Sequence, residues 1–374
     1  MTLSAVEKVA WLRLIRSENI GPRTFQMALE RYQTASRALE ILPELATKSG
    51  AKRKIKLASV DSVERELDAI DAAGGTLITL ADDTYPPLLR HIPDAPPVLT
   101  VLGHTHLLQQ PMIGMVGARN ASTAALRYAT RMAEALGRKD IVIASGLARG
   151  LDTAAHQGAL ETGTVAVVAG GVDVIYPPEN EALQRAIGEQ GAVVSEQPWG
   201  EIPTARHFPR RNRIISGVGY GVLVVEAALR SGSLITARLA GEQGRLVFAV
   251  PGSPMEPRAR GTNALLRDGA ILTETPDDIL EHLAPAMAIP FSAPKTPGFA
   301  DAPFSEPDDN ALRAGRKRVI ECLSVAPVEV DDLALQTGVP RPVLLTVLLE
   351  LELSGKLARD AGDTVSLTDL DDLF

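Results

Sequence analysis

Six short apolar runs, each followed by a turn and most by a helix-length segment, restrict the middle of this chain to one kind of fold. They are Ile113 to Val116, Ile141 to Ala144, Val165 to Val168, Ala192 to Ser195, Val222 to Val225 and Leu246 to Val250, with Ala270 to Leu272 as an edge. Valine, isoleucine and alanine without polar alternation mark strands covered on both faces, and helices between them make the sheet mainly parallel. Helices fit at Thr123 to Leu136, Thr153 to Leu160, Asn180 to Glu189, Ile235 to Ala240 and Thr262 to Arg267. Residues 76–284 are therefore expected to form a Rossmann-like, mostly parallel α/β domain, with its ligand at the carboxyl edge of the sheet.

The flanks read differently. Residues 1–70 carry helical apolar spacing at Val9, Leu12 and Ile15, then at Phe25, Leu29 and Tyr32. Between them Asn19-Ile20-Gly21-Pro22-Arg23 forms a tight turn, with proline near the first helical position. That is either a plain helix-helix turn or a helix-hairpin-helix element offering amides to a phosphate. Residues 285–310 hold six prolines and no periodic element, and are expected to be a linker. Residues 311–374 offer three helices and a closing hairpin, the order of a winged helix-turn-helix. Their seven basic and eleven acidic side chains make protein contact at least as good an expectation as DNA reading.

A chain of 374 residues with net charge −8 is too long for one compact domain and too acidic to coat DNA globally. A local basic groove is still compatible with that total, because the field in the groove sets affinity. The single cysteine, Cys322, excludes a disulfide framework and a cysteine-rich zinc site, which fits the cytoplasm. The amino terminus lacks a signal-peptide pattern and no apolar run is long enough to span a bilayer, so no membrane association is expected.

Chemistry concentrates in the turns after the strands. The first, Gly114 to Ser122, is not the dinucleotide spacing and no acidic residue follows the next strand to hold a ribose, which argues against a nicotinamide enzyme. It supplies Arg119. In the second, Ser145 and Gly146 allow close backbone approach, Arg149 offers a forked donor, Gly150 permits the bend, and Asp152 is suited to cap the following helix. His156 is best read as a structural histidine, and nothing around it has metal-ligand spacing. The third turn, Ala169 to Asn180, carries Tyr176, available for stacking on a base or for packing on the core.

The densest cationic stretch follows. Arg206, Arg210, Arg211 and Arg213 fall within HFPRRNRIISG, where Arg210 and Arg213 share one face of a helix. The next strand delivers Glu226, which could pair with an arginine and hold its fork in place. Ser231, Gly232 and Ser233 then open another helix, either capping it or meeting an anionic oxygen. Together these turns describe a phosphate cleft.

SGLARGLDTAAHQGAL, VAGGVDVIYPPEN, HFPRRNRIISG, VVEAALRSGSLITA and VFAVPG followed by GTNALLRDGA closely resemble, in this order, the DprA/Smf family of DNA-processing proteins. The resemblance runs from about Val116 to Ala270. It implies a single-stranded-DNA-binding recombination mediator that protects incoming DNA and hands it to the RecA recombinase in natural transformation, and that dimerises through the central domain. Carried onto this sequence, it implies phosphate contacts at Ser145, Gly146, Arg149, Arg211, Arg213, Ser231, Gly232 and Ser233. Ala118 stands where the family places a serine, leaving Arg119 to act there. The flanks resemble the family's sterile-alpha-motif-like helical domain and winged helix.

No catalytic residue, metal or cofactor is expected, since neither a Walker motif nor a hydrolytic cluster is present. The rival is an enzyme acting on a nucleoside phosphate, with Glu226 or Asp152 as acid-base group beside the same cleft. A structural interaction module is the third reading. The arginines at 211 and 213 are expected to face the ligand, so that reversing either charge would weaken DNA retention without unfolding the protein.

Overall fold

The computed structural model describes residues 3–48, 56–288, 309–360 and 364–368. The chain divides into two compact units, one formed mainly by residues 98–293, the other by the amino-terminal helices and the carboxy-terminal segment.

The first unit is built on a nine-stranded sheet. Its strands are β1 (Thr76–Thr79), β2 (Val98–Gly103), β3 (Met112–Val116), β4 (Val142–Ser145), β5 (Thr164–Val167), β6 (Ala192–Ser195), β7 (Gly221–Val224), β8 (Leu246–Ala249) and β9 (Ile271–Leu272). The order is β1-β2-β6-β5-β4-β3-β7-β8-β9. From β6 to β9 every pairing is parallel, as the uninterrupted apolar runs require. β1 and β2 were not anticipated. They extend the sheet antiparallel beyond β6, and the irregular stretch joining them has no helical period to betray a strand on either side.

Alternation along β3 shows how both faces are covered. Ile113 and Met115 enter a core with Ala129, Met132 and Leu136 of helix Thr123–Gly137 and Ala155 of helix Leu151–Ala159. Between them Gly114 turns to the other face, where a Cβ would lie 3.4 Å from the Cγ2 of Ile215 in helix His207–Val218. Helix Pro276–Ala288 adds Ile279 and Leu283 to the first face. It runs through Pro285, so the first four residues of the expected linker are helical; the rest of that segment up to 308 lies outside the described residues.

In the second unit, helices Ala5–Ile15 and Pro22–Tyr32 bring Trp11 edge-on to Phe25, with ring centroids 4.9 Å apart. The carboxy-terminal part comprises helices Asp309–Cys322, Val330–Thr337 and Arg341–Leu353 and a sheet of β10 (Val328–Glu329), β11 (Leu357–Asp360) and β12 (Thr364–Leu367) in the order β10-β12-β11. Gly338, in the left-handed region at φ +59°, ends the second helix and starts the turn into the third.

The third helix is the one a winged helix normally lays in the major groove, yet here it is covered. Val343, Leu344, Val347, Leu348, Leu349 and Leu351 are all buried. Glu350, 2% exposed, takes an ion pair from Arg316 at 2.6 Å. Part of the cover is the helix Pro22–Tyr32. Thr24 donates to Glu352 at 2.8 Å and the Nε of Arg31 donates to the Oγ1 of Thr346 at 2.9 Å.

Candidate nucleic-acid interface

The turn after β4 sets the shape of the site. Leu147 takes a left-handed conformation at φ +56° and Gly150 lies at φ +82°, which curls residues 146–152 back on themselves. A Cβ on Gly150 would stand 2.5 Å from the carbonyl oxygen of Ala118, and one on Gly146 would meet Arg211 Nη2 at 2.7 Å and Asp152 Oδ2 at 2.9 Å. Both positions therefore demand glycine. Asp152 does not cap the helix that follows; its carboxylate reaches back and accepts from the amide of Ala148 at 3.3 Å, closing the turn. Asn180, from the turn after β5, donates to the carbonyl of Leu147 at 2.9 Å and ties the two turns together.

A cavity of about 270 Å³ opens over these turns. One wall is the curled segment, Gly146 to Arg149, with Arg119 from the turn after β3. The other is Tyr176, Pro178 and Glu179 from the turn after β5, with Pro203 and Phe208 from the segment entering the helix His207–Val218. The rings of Tyr176 and Phe208 lie 5.5 Å apart at 52°, and the Arg119 guanidinium sits 5.5 Å from the Phe208 centroid. Arg149 forms an open ion pair with Glu179 at 3.5 Å, both side chains about 60% exposed. Such a pair is worth little in water and yields readily to a better anion.

Arg211 lies at the floor, 6% exposed, its Nη1 donating to the carbonyls of Gly146, at 2.7 Å, and Val167. Burial draws its pKa down to about 10, opposed by the nearby Asp152. Burial also pushes Asp152 up to about 6, against the pull of Arg211 and the amides of Ala148 and Gly146. His156 is wholly buried, with Nδ1 2.7 Å from the Oγ1 of Thr164, and burial holds it neutral with a pKa of about 3.

Of the residues singled out in the sequence, Arg119, Gly146, Arg149 and Arg211 line one cavity. Several others stand apart from it. The Ser145 hydroxyl is fully buried and donates to the carbonyl of Met115 at 2.6 Å, so it cannot meet a phosphate. Arg213 is buried in an ion pair with Glu196, and Arg210 is exposed outside the cavity lining. Ser231, Gly232 and Ser233 sit beyond β7, where Ser231 accepts from the Ser233 amide as a helix cap. Among the described residues Glu226 pairs with no arginine; it accepts from the Ser122 amide at 2.8 Å, while its carbonyl accepts from Ala118 at 2.7 Å, stitching the turns after β3 and β7. Neither Glu226 nor Asp152 lines the cavity. Phe208 was visible only as a letter inside the arginine-rich segment, and Asn180 as the start of a helix.

Residues 76–284 match the sequence profile of the DNA recombination-mediator protein A family. The chain belongs to that family. Residues 5–69 match the DprA-like N-terminal HHH domain and residues 302–363 the DprA winged helix domain. Among relatives of this recombination-mediator family member, Protein Smf of Escherichia coli K12 is 40% identical over 309 residues, covering 82% of this chain and 81% of its own. The DNA processing protein DprA of Streptococcus pneumoniae R6 is 45% identical over 204 residues, covering 54% of this chain and 72% of its own. The X-ray structure of the S. pneumoniae protein superposes with a TM-score of 0.61 at 35% identity, over 75% of this chain and 98% of that one. A Helicobacter pylori DNA processing protein A structure, which concerns the single-stranded-DNA binding mode of that protein, gives a TM-score of 0.51 at 27% identity over 57% of this chain and 96% of that one. Among the described residues no helix is long and apolar enough to cross a membrane.

Proposed function

We propose that this chain grips single-stranded DNA in the cavity over the turns after β3, β4 and β5 and passes it to the RecA recombinase. One observation carries the reading: two exposed guanidiniums, Arg119 and Arg149, stand in the same cleft as the rings of Tyr176 and Phe208. Cations for phosphates beside aromatic faces for unstacked bases are what a single strand offers to meet and a duplex does not. Among the described residues lining the cleft, Glu179 is the one carboxylate and it pairs with Arg149, so binding is expected to be tolerant of sequence.

Arg211 enters this scheme as a strut. It holds the carbonyls of Gly146 and Val167 and lends its charge to the floor, while Arg119 and Arg149 make the exchangeable contacts. Transfer to RecA, a homodimer acting on one strand, a cytoplasmic location and a part in natural transformation are proposed from the family relationship.

The test is a salt-titrated binding assay with oligothymidylate, duplex DNA and nucleoside monophosphates. Each phosphate engaged on a single strand contributes about 0.7 to the slope of log K against log salt. Preference for the single strand, with a slope that falls in Arg119→Glu and Arg149→Glu, supports the reading; equal affinity of those variants and the parent protein sinks it. RecA transfer is read separately, as faster assembly of RecA on the strand when this protein is present.

A further inference from the structure

A second basic surface lies behind the first. Helices Thr123–Gly137 and Leu151–Ala159 leave between them a groove of about 390 Å³ whose polar lining is Arg127, Arg131, Thr130, Thr153 and Gln157. The two helices touch backbone to backbone at its floor, where a Cβ on Gly158 would stand 2.2 Å from the Thr130 carbonyl oxygen. Arg127 and Arg131 are both exposed and lie one turn apart on the same side of their helix.

Their surroundings differ from those of three other exposed helix arginines. Arg138, Arg185 and Arg238 each pair with a glutamate four residues away on their own helix, namely Glu134, Glu181 and Glu242. At the same spacing Arg127 meets Thr123 and Arg131, and Arg131 meets Arg127 and Ala135; neither makes an ion pair among the described residues. Two like charges at that spacing repel each other along the helix surface. Such a pair gains from an anion supplied from outside.

The groove also adjoins the cleft through a single strip of chain. Ala148 and Arg149 line the cleft; Gly150 and Thr153, on the same turn, line the groove. Thr153 donates to the Ala148 carbonyl at 2.8 Å, which fixes the strip. Gly150 seats the strip on the Ala118 and Arg119 carbonyls, where a Cβ would come within 2.6 Å of both oxygens.

We infer that the groove carries the phosphates of the same single strand after it leaves the cleft, with Arg127 and Arg131 as the contacts and Gly150 as the saddle between the two sites. This rests on the single-stranded-DNA reading of the cleft. The occupant is a polyanion running on from the first site, and the groove lends length to the footprint without reading bases.

The experiment compares an oligothymidylate of about 4 nucleotides, enough for the cleft, with one of about 20, on the full chain. In the Arg127→Glu/Arg131→Glu protein the short strand should bind as before. The long strand should lose roughly 10- to 30-fold at 0.1 M salt and its salt slope should fall by about 1.4, two phosphates' worth. Arg127→Lys/Arg131→Lys should keep the slope, and Arg238→Glu, an equally exposed arginine on another helix, should leave the ratio of long to short unchanged. An unaltered ratio in the double reversal, or an equal loss from Arg238→Glu, overturns the inference. Failure of the parent protein to bind the short strand would instead sink the cleft reading, and that outcome is told apart because it appears before any groove variant is made.

Discussion

Arg119 and Phe208 come from turns almost ninety residues apart and meet with the guanidinium 5.5 Å from the ring centroid, one from the end of β3 and one from the start of the helix His207–Val218. The contact holds a cation over one face of an aromatic ring at the mouth of the cleft, and it leaves the charge in water, where it retains its pull on a phosphate. Phe208→Ala should weaken single-stranded-DNA binding by about 1–3 kcal/mol, the usual worth of one stacked base, with little effect on duplex binding. Phe208→Tyr keeps the ring and should bind like the parent. An equal loss from both substitutions, measured by fluorescence anisotropy, would show that stacking is not the contact.

Arg211 and Arg213 lead to a stability prediction, contrary to what their place in an arginine-rich segment suggests. Both are 6% exposed and both are held, one by the Gly146 and Val167 carbonyls and one by Glu196. Arg213→Ala breaks an ion pair whose two side chains are only 7% and 11% exposed, a loss on the order of 3–5 kcal/mol. Arg213→Ala and Arg211→Ala should therefore lower the melting temperature of the central unit, whereas Arg119→Ala and Arg149→Ala should not. Differential scanning calorimetry of the four proteins decides it: unchanged melting of the Arg211 and Arg213 variants would mean that these side chains are not structural.

What was legible in the sequence follows from what physics makes local. Strand runs such as Ala192 to Ser195 and the order of helices are written in consecutive residues, and the parallel sheet followed from them. β1 and β2 escaped because a short antiparallel pair is defined by its partner and not by its own pattern. In the site, Arg119, Gly146 and Arg149 were legible because turns after parallel strands must converge at one edge. Which arginine of RRNR faces inward was not, since helical phase depends on where the helix begins, and it begins at His207, before the arginines. Ser145 looked available because its place in the motif says nothing of the Met115 carbonyl on the neighbouring strand that takes its hydroxyl.

Asp152 and His156 make the acid side of the stability profile unusual. The Asp152 carboxyl is raised from 3.8 to about 6, so the folded protein holds a proton that the unfolded chain releases between those values, and stability from this group falls as pH climbs from about 4 to 6. His156 is lowered from 6.5 to about 3, so here the unfolded chain binds the extra proton, and stability rises with pH from about 3 to 6.5. The two slopes oppose each other over most of their range. Asp152→Asn, whose amide oxygen can still accept from Ala148, removes the first and exposes the second. Its denaturant-derived stability should drop more steeply than that of the parent protein between pH 6.5 and 4. Parallel curves would mean that Asp152 titrates normally.

The winged helix yields the last prediction, because its third helix is engaged with the amino-terminal domain where a DNA reader would need it bare. Arg31 donates to Thr346 and Thr24 to Glu352, and Glu352 also lies 3.7 Å from Arg359 of β11. With Glu350 buried as well, that helix presents carboxylates and leucines to its neighbours, a poor surface for a phosphate backbone. Arg31→Glu places a further acid against it and removes the donor to Thr346. Hydrogen exchange should then accelerate in helix Arg341–Leu353 and in helix Pro22–Tyr32 together, with the strands of the central sheet unchanged. Exchange that rises in the amino-terminal helix alone would show that the two do not hold each other in solution.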